Sequence, residues 1–197
     1  VLERTKIETL MLEGRDVWWH DEMLNTSTNH QAVTMNSEDT LFILYTSGST
    51  GKPKGVVHSI AGYMIYAEYS FRNVFQYQND DVFWCTADIG WITGHSYIVY
   101  GPLLAGASSI MFEGVPTYPD AGRFWDIIDK YQVNLFYTAP TAIRALQAQG
   151  LDYIKPYKLD TLKVLGTVGE PINEEAWHWY NDQIGNCLLY TSPSPRD

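Results

Sequence analysis

Short apolar segments alternate with longer amphipathic segments over most of this 197-residue chain, and this alternation is the feature that most restricts its fold. Apolar runs of about four to eight residues bounded by turn formers are typical of buried strands, whereas apolar residues recurring every three or four positions are typical of helices. A strand, a helix and a second strand form a crossover unit, and repeated units produce a parallel sheet covered on both faces. The sequence therefore predicts an α/β fold, in which ligands bind beyond the carboxyl ends of the strands.

The predicted elements follow a polar amino-terminal region. Residues 1–31 are polar, with helical character over 16–24, and residues 32–40 form a linker rich in Thr, Asn, Ser and Asp. Because Gly101 and Pro102 interrupt the second long helix, we expect a kink or an early end there. Strands are predicted over 41–46, 56–58, 82–85, 108–112, 135–138 and 162–167, and helices over 60–75, 93–104, 123–131, 140–149 and 174–184.

A loop rich in glycine, hydroxyl and lysine side chains follows the apolar run 41–45, which predicts a buried strand leading into a turn. Three glycines allow backbone N–H groups to turn toward an anion. Four hydroxyl groups and two ammonium groups would bind that anion by hydrogen bonds and by charge. We therefore predict a polyphosphate-binding loop, formed by T-S-G-S-T-G-K-P-K-G at 46–55.

This loop is not a Walker A loop. That pattern places four residues between its first glycine and the Gly-Lys pair, followed by Ser or Thr. Here two residues separate Gly48 from Gly51, and Pro53 follows Lys52. A flexible Gly/Ser linker is the alternative interpretation, but two lysines directly after an apolar strand favour the binding loop.

Composition narrows the class of ligand. The chain has 45% hydrophobic and 18% charged residues, which is typical of a globular protein, and its formal net charge is −10. That charge disfavours nucleic-acid partners and makes Lys52 and Lys54 the favoured place for an anion. The sequence contains no uninterrupted apolar stretch of about 18 residues, so no membrane span is predicted. Its two cysteines, Cys85 and Cys187, are too few to indicate a disulfide framework. We expect a cytoplasmic protein with small-molecule substrates; organelle targeting is not readable from a chain that begins at Val1.

Several segments together resemble one family. The segment T-S-G-S-T-G-K-P-K-G-V-V-H at 46–58 resembles the phosphate-loop signature of the adenylate-forming, or acyl-activating, enzymes. Other segments narrow the resemblance to the acetyl-coenzyme A synthetase family, the AMP-forming acetate–CoA ligases, and it runs from Val1 to about Asn186. These segments are E-G-R-D-V-W-W-H-D at 13–21, T-A-D-I-G-W-I-T-G-H-S-Y at 86–97, F-E-G-V-P at 112–116, Y-T-A-P-T-A-I-R at 137–144 and G-T-V-G-E-P-I-N at 166–173.

The resemblance implies that residues 1–186 are part of the AMP-binding, or adenylation, N-terminal domain. Family members have a further nucleotide motif and a small C-terminal domain that carries a catalytic lysine. We expect both beyond the C-terminus of this chain, so no catalytic residue is assigned within it. Residues 187–197 depart from the family pattern and are predicted to be a non-native tail, with a natural Ser/Pro-rich terminus as the alternative.

The reaction that the resemblance implies has two halves. Acetate attacks the α-phosphorus of ATP to give acetyl-AMP and pyrophosphate, and the thiol of coenzyme A then displaces AMP. Mg²⁺ is expected to accompany ATP, and no metal ligand is assigned to the chain. Two alternatives stay open: a propionate– or acetoacetate–CoA ligase, and a nucleotide-binding fragment without catalysis, which is the expectation for this chain alone. The oligomeric state is not predicted.

The resemblance also assigns two parts of an ATP site. Gly169, Glu170 and Pro171 are expected beside adenine and ribose; without the resemblance, a Gly-Glu-Pro turn would indicate only the loop that precedes a helix. The β- and γ-phosphates are expected at Thr46, Ser47, Gly48, Ser49, Thr50, Gly51, Lys52, Lys54 and Gly55.

Two further sites follow from the same resemblance. The acyl pocket is expected at Trp91, Ile92, Thr93 and Val168, with Trp91 as the wall that admits only short acyl groups; the alternative for a Trp is a core residue. Coenzyme A is expected to contact Thr93 and Thr117, although the family usually has Asn at the position of Thr117. Arg15, in Glu13-Gly14-Arg15-Asp16, lies near a further coenzyme A contact of the family.

The remaining titratable residues each leave two interpretations open. His58 and His95 either line the site or have a structural role, and Asp88 is either a carboxylate in the site or a turn former. No Gly-x-Ser-x-Gly motif supports a serine hydrolase. No metal-ligand spacing is apparent among His20, His30, His58, His95 and His178.

Overall fold

The computed structural model describes residues 1–46, 51–185 and 188–191. The chain divides into two compact units, Val1–Met35 and Asn36–Asp197. In the first unit the amino-terminal ammonium group donates a hydrogen bond to the Val17 carbonyl oxygen at 2.7 Å. Its one helix in the described residues, α1 (Trp19–Leu24), lies within the stretch for which helical character is predicted. Within the described residues, none of the helices is long and apolar enough to cross a bilayer.

The second unit begins with a β-hairpin. Strand β1 (Thr40–Thr46) pairs with β2 (Lys54–Ser59) in antiparallel register, with Thr46 opposite Lys54, and the two form a separate two-stranded sheet. The hairpin is antiparallel because its short loop returns the chain beside itself, whereas a parallel pair needs a long crossover. The prediction of a buried strand over 41–45 is wrong for Ile43 and Tyr45, which are 53% and 69% exposed, because this ribbon packs through one face only.

The main sheet has five parallel strands in the order β4-β3-β5-β6-β7. This confirms the predicted α/β fold with a parallel sheet. The bounds of the strands are β3 (Val82–Cys85), β4 (Ser108–Ile110), β5 (Leu135–Thr138), β6 (Val164–Thr167) and β7 (Leu188–Thr191). β3 and β5 coincide with their predicted spans, whereas β4 and β6 are shorter than theirs, since pairing ends where the chain turns away.

Helices connect the strands as crossovers. Between β3 and β4 a continuous helical stretch changes register: α3 (Ile92–Gly94) passes into a π-helical segment (His95–Tyr100) and then into α4 (Gly101–Leu104). The helical stretch ends at Leu104, as predicted; of the kink or early end expected at Gly101 and Pro102, the early end does not occur, and a change of helical register is found instead. The π register directly before the proline accommodates a residue that has no N–H to donate. The other helices are α2 (Ile60–Val74), α5 (Arg123–Tyr131), α6 (Pro140–Gln147), a 3₁₀ turn (Leu151–Tyr153), α7 (Glu174–Trp179) and a π-helical segment (Tyr180–Gly185).

Both faces of the sheet are buried, as the crossover pattern predicts. Alternate strand residues point to opposite faces. Trp84, Phe136 and Leu165 belong to one buried cluster with side chains of α5, α6 and α7. Phe83 and Leu135 belong to a second cluster with side chains of α2. Each fully buried aromatic or aliphatic side chain contributes about 1.5–3 kcal/mol, so the two clusters hold the strands rigidly enough to position the loops that follow them.

The last strand involves the predicted non-native tail. β7 pairs with β6 from Val164 opposite Leu188 to Thr167 opposite Thr191, so four residues of the segment 187–197 extend the sheet. The pairing does not test whether these residues are native, and the origin of the tail stays a prediction. The rest of the segment lies outside the described residues.

Candidate functional site

The carboxyl ends of the five parallel strands meet at one edge of the sheet, and the predicted acyl, adenosine and coenzyme A residues follow these ends, whereas the predicted phosphate loop belongs to the separate hairpin. Residues 91–93 follow β3, residues 168–171 follow β6, and Thr117 lies in the loop after β4. Backbone hydrogen bonds fix the first residues of the loops after β3 and β6. The backbone N–H of Thr86 donates to the Tyr137 carbonyl oxygen at 3.0 Å, and that of Val168 donates to the Thr138 carbonyl oxygen at 3.2 Å.

Asp88 forms the turn after β3. Its Oδ1 accepts a hydrogen bond from the backbone N–H of Gly90 at 2.7 Å, and its carbonyl oxygen accepts one from Trp91 N–H at 3.1 Å. This is the side-chain-to-backbone pattern of an Asx turn. Of the two interpretations of Asp88, the turn former therefore has direct support in these contacts.

Gly94 allows that turn to pack on the helix that follows. A Cβ atom at this position would lie 2.4 Å from the Asp88 carbonyl oxygen and 2.6 Å from the Cα of Ile89. The backbone of the turn thus occupies the space of a side chain. No role for Gly94 was predicted from the sequence; the available signal was a glycine at the second position of a predicted helix, where glycine is unfavourable.

Trp91 is 72% exposed, so it is not a core residue of this chain. It immediately precedes α3, and Ile92 and Thr93 behind it are half-buried. Val168 is also half-buried and packs against the cluster on the α2 face. β5 separates β3 from β6, so the ends of these two strands are about 10 Å apart; Val168 directly follows β6, whereas Trp91 lies six residues after the end of β3. The four predicted acyl-pocket residues therefore lie in the segments that follow two strands, β3 and β6, which a third strand separates.

The two predicted coenzyme A contacts lie after neighbouring strands. Thr93 follows β3 and Thr117 follows β4, which pairs with β3. Thr117 is exposed in the loop directly before the cis peptide bond of Tyr118-Pro119. Arg15 belongs to the first unit, where its Nε and Nη2 donate to the two carboxylate oxygens of Asp16 at 2.8 and 2.7 Å. This hydrogen bonding to Asp16 raises the pKa of Arg15 and lowers that of Asp16.

The Gly169–Pro171 turn follows β6. Gly169 has φ = +93°, a conformation that side chains strongly disfavour, so glycine is required there. The Glu170 carboxylate does not extend into solvent alone: its Oε1 accepts hydrogen bonds from the Thr141 hydroxyl and, at 3.1 Å, from Nη2 of Arg144. The hydrogen bond from the Thr141 hydroxyl is the main cause that lowers the pKa of Glu170 below its usual value, and the Arg144 guanidinium adds to this lowering.

Thr141 and Arg144 were missed as site residues by the sequence analysis. Both belong to α6, which begins directly after β5, and both therefore lie at the same edge as the Gly169–Pro171 turn. The segment Y-T-A-P-T-A-I-R was recognised there only as part of the resemblance. The signal that could have identified them was position: a hydroxyl and a guanidinium in the first turns of a helix after a central strand lie close to every neighbouring strand end.

The predicted phosphate loop connects the two strands of the hairpin. Ser47, Gly48, Ser49 and Thr50 lie outside the described residues. Lys52 and Lys54 are both exposed, and Lys54 is the first residue of β2. Because Thr46 pairs with Lys54 and Tyr45 pairs with Gly55, the two ends of the loop are fixed by the strand ladder.

Phe42 anchors the hairpin to the helices on the α2 face. Its ring centroid lies 4.8 Å from that of His58, 4.9 Å from that of Tyr63 and 5.4 Å from that of His95. The Tyr63 hydroxyl in turn lies 2.6 Å from the Ser96 hydroxyl. Of the two interpretations of His58 and His95, the structural role is therefore the one these contacts support. The buried Nδ1 of His95 has no hydrogen-bond partner among the described residues.

The described residues contain no group of three or more His, Cys, Asp or Glu side chains placed to hold a metal ion. A cavity of about 430 Å³ runs along the edge strand β4 and helix α5, and its lining includes Phe112, Arg123 and Asp126. None of the predicted site residues lines it. This cavity flanks the sheet at its β4 edge and reaches the start of the loop after β4 through Met111, Phe112 and Glu113.

Comparison with known proteins gives consistent matches. Residues 2–192 match the AMP-binding enzyme family. The acetyl-coenzyme A synthetase of Bartonella henselae is 58% identical over 186 residues, which are 94% of this chain and 28% of that protein. The protein of the same name from Leptospira biflexa is 63% identical over 175 residues, 88% of this chain and 27% of that protein. That of Escherichia coli O157:H7 is 58% identical over 94% of this chain and 28% of its own length. The chain thus spans less than a third of the length of these relatives.

Proposed function

This chain belongs to the AMP-binding enzyme family, and on that premise we propose that the protein containing it activates acetate with ATP and transfers the acetyl group to coenzyme A. The observation that carries the proposal is the 58–63% identity, over 88–94% of the chain, to relatives named acetyl-coenzyme A synthetase. The grouping of the predicted acyl, nucleotide and coenzyme A residues at the carboxyl edge of one parallel sheet supports it.

In the first half-reaction a carboxylate oxygen of acetate forms a bond to the α-phosphorus of ATP, and pyrophosphate leaves with the electron pair of the broken P–O bond. Such a transfer depends on positioning and on neutralising the oxygens that gain charge. Lys52 and Lys54 supply positive charge at the hairpin loop, in a chain whose net charge is otherwise strongly negative. Mg²⁺ would accompany ATP and would add positive charge to this neutralisation; no residue of the chain is assigned to hold it.

The adenosine part of the nucleotide lies at the Gly169–Pro171 turn in this proposal. The positive φ of Gly169 exposes backbone polar groups without a side chain in the way. The adjacent Glu170 is held by α6, so the turn offers a fixed surface to adenine and ribose. In this proposal the β- and γ-phosphates lie at the hairpin loop.

The acetyl group and coenzyme A occupy the ends of β3, β4 and β6. Trp91, Ile92, Thr93 and Val168 surround the methyl group of acetate. In the second half-reaction the sulfur of coenzyme A bonds to the carbonyl carbon of acetyl-AMP, AMP leaves with the electron pair of the broken C–O bond, and the thiol proton is released. Thr93 and Thr117 contact coenzyme A, and the pairing of β3 with β4 supports their acting on one ligand.

The test is made on the protein that contains this chain at full length. Acetate-dependent exchange of labelled pyrophosphate into ATP isolates the first half-reaction, and thioester formation on adding coenzyme A isolates the second. Propionate and acetoacetate are assayed in parallel, and we expect kcat/KM to be highest for acetate. Exchange that proceeds without any acid, or that requires one of the larger acids, would overturn the proposal.

A further inference from the structure

We propose that Arg144 is a positioning residue for the nucleotide: acting through Glu170, it holds the Gly169–Pro171 turn in the conformation that receives adenine and ribose. Arg144 does not itself touch the nucleotide in this proposal. The inference rests on the proposed function, because it concerns the turn assigned there to ATP.

The contacts converge on one carboxylate oxygen. Oε1 of Glu170 accepts from the Thr141 hydroxyl and from Nη2 of Arg144 at 3.1 Å. The same Nη2 lies 3.4 Å from the Thr141 hydroxyl oxygen. Thr141 and Arg144 are three positions apart on α6 and therefore face the same side of the helix. The helix thus presents a hydroxyl and a guanidinium to a carboxylate that is 26 positions away from Arg144 in the sequence.

Hydrogen bonds to neighbouring elements hold the Gly169–Pro171 turn on both sides of Glu170. Before it, the Val168 N–H donates to the Thr138 carbonyl oxygen at 3.2 Å, which is an extension of the sheet ladder. After it, Glu175 on α7 accepts from Nε2 of Gln147, the last residue of α6, at 3.3 Å. Between these two hydrogen bonds, Gly169 has no side chain to restrict its backbone, and Pro171 has no N–H to donate. The hydrogen bonds of the Glu170 side chain therefore fix the middle of the turn.

The solvent exposure of the Arg144–Glu170 ion pair predicts whether the pair affects folding stability or ATP binding. The side chains of Arg144 and Glu170 are 40% and 37% exposed. Ion pairs with this much access to water contribute little to folding stability. A small displacement of a binding turn, however, can reduce the efficiency of a reaction by orders of magnitude, because binding and reaction depend on geometry. We therefore expect Arg144 to affect ATP binding far more than it affects unfolding.

The experiment uses the full-length protein and three variants, Arg144→Ala, Arg144→Lys and Glu170→Gln. Arg144→Ala is expected to raise the KM for ATP about tenfold and to leave the KM for acetate within about twofold, with a midpoint of thermal unfolding close to that of the unsubstituted protein. Arg144→Lys, which keeps the charge but loses the planar fork, is expected to give an intermediate KM. Binding of a fluorescent ATP analogue supplies a readout that does not depend on turnover.

Two controls separate this role from a general structural one. Arg123→Ala removes a comparably exposed arginine, paired with Asp126 at 3.6 Å on α5, and is expected to leave the KM for ATP unchanged. The double variant Arg144→Ala/Glu170→Gln is expected to be no worse than the worse single variant, because both substitutions break the same link. Additive effects would mean that Arg144 acts independently of Glu170 and would overturn the inference.

The other outcomes are equally decisive. An Arg144→Ala protein with an unchanged KM for ATP overturns the inference, and so does an equal loss with every substrate accompanied by a lowered unfolding midpoint. If Arg144→Ala does not fold, Arg144→Lys and Arg144→Gln are judged by the same criteria. If the unsubstituted protein shows no acetate-dependent exchange, the proposed function fails, whereas normal exchange with an unaffected Arg144 variant defeats this inference alone.

Discussion

The hydroxyl groups of Thr86 and Thr138, which are 52 positions apart in the sequence, lie 2.6 Å from each other where β3 and β5 end. Thr138 is 2% exposed, and Thr86 is half-buried. The pair joins the ends of two adjacent strands at the edge from which the candidate site is built. The backbone of Thr138 also accepts the hydrogen bond that begins the turn after β6.

Thr138→Val is therefore expected to destabilise the chain by about 1–2 kcal/mol, because it leaves the Thr86 hydroxyl without its partner while keeping the shape of the core. The double variant Thr86→Val/Thr138→Val is expected to lose less than the sum of the two single variants, since no unpaired hydroxyl is left. Urea unfolding of all four proteins measures the coupling. Strictly additive losses would show that the two hydroxyls do not stabilise each other.

Replacement of Lys52 and Lys54 by Ala in the full-length protein is expected to raise the KM for ATP and to lower kcat. Each charge-assisted hydrogen bond to phosphate contributes about 1.5–3 kcal/mol, which corresponds to tenfold or more in the kinetic constants. Lys155→Ala/Lys158→Ala is the matched control, because it removes the same charge from two exposed lysines away from the hairpin. ATP kinetics altered equally in both double variants would point to net charge instead of the loop.

Trp91→Gly is expected to shift substrate preference from acetate toward butyrate and longer acids. If the indole blocks the acyl chain, each methylene admitted after its removal changes discrimination by about 1–3 kcal/mol, and acetate loses contacts to its methyl group. The measurement is kcat/KM across a series of straight-chain acids. Trp19→Gly, which removes a 57% exposed Trp on α1, should leave the series unchanged. Equal loss on every acid in the Trp91 variant would exclude a role in specificity.

Gly94→Ala is expected to destabilise the chain by about 2 kcal/mol or more, because the new Cβ would overlap backbone atoms of Asp88 and Ile89 that have no side-chain freedom to move. Gly62→Ala is the contrasting substitution within α2. Its Cβ would approach only the Ser59 hydroxyl, which can rotate, and Ala favours the helix by about 0.5–1 kcal/mol. The midpoint of thermal unfolding should fall for Gly94→Ala and rise for Gly62→Ala. A shift of both midpoints in the same direction would contradict the close packing at Gly94.

Cys85 is expected to resist thiol reagents in the folded chain. It is 2% exposed on β3, and burial raises its pKa to about 12, so the reactive thiolate is scarce at neutral pH. In a Cys187→Ser background, labelling by iodoacetamide at pH 8 should proceed only through unfolding and should accelerate in step with added urea. Rapid labelling without denaturant would mean that β3 opens locally.

The α/β class and most element positions were determined by local sequence patterns. β3, α5 and β5 lie where the apolar periodicity predicts them, because their burial on both faces requires continuous apolar strands and one-sided helices. The antiparallel hairpin was not predicted as such, since strand direction depends on which segments pair. The π register before Pro102 was missed for a similar reason: it depends on how the helix packs around a missing N–H.

The sequence by itself determined the candidate chemistry: the glycine, hydroxyl and lysine loop, the Gly-Glu-Pro turn and the family resemblance are all properties of contiguous residues. Only the tertiary structure decided which distant residues act together. Arg144 meets Glu170 because β5 and β6 are adjacent in the sheet, and Phe42 meets His95 because the hairpin packs on the helices after β3. Local patterns record which face of an element is apolar, whereas contacts between elements depend on strand order and packing, which no single segment encodes.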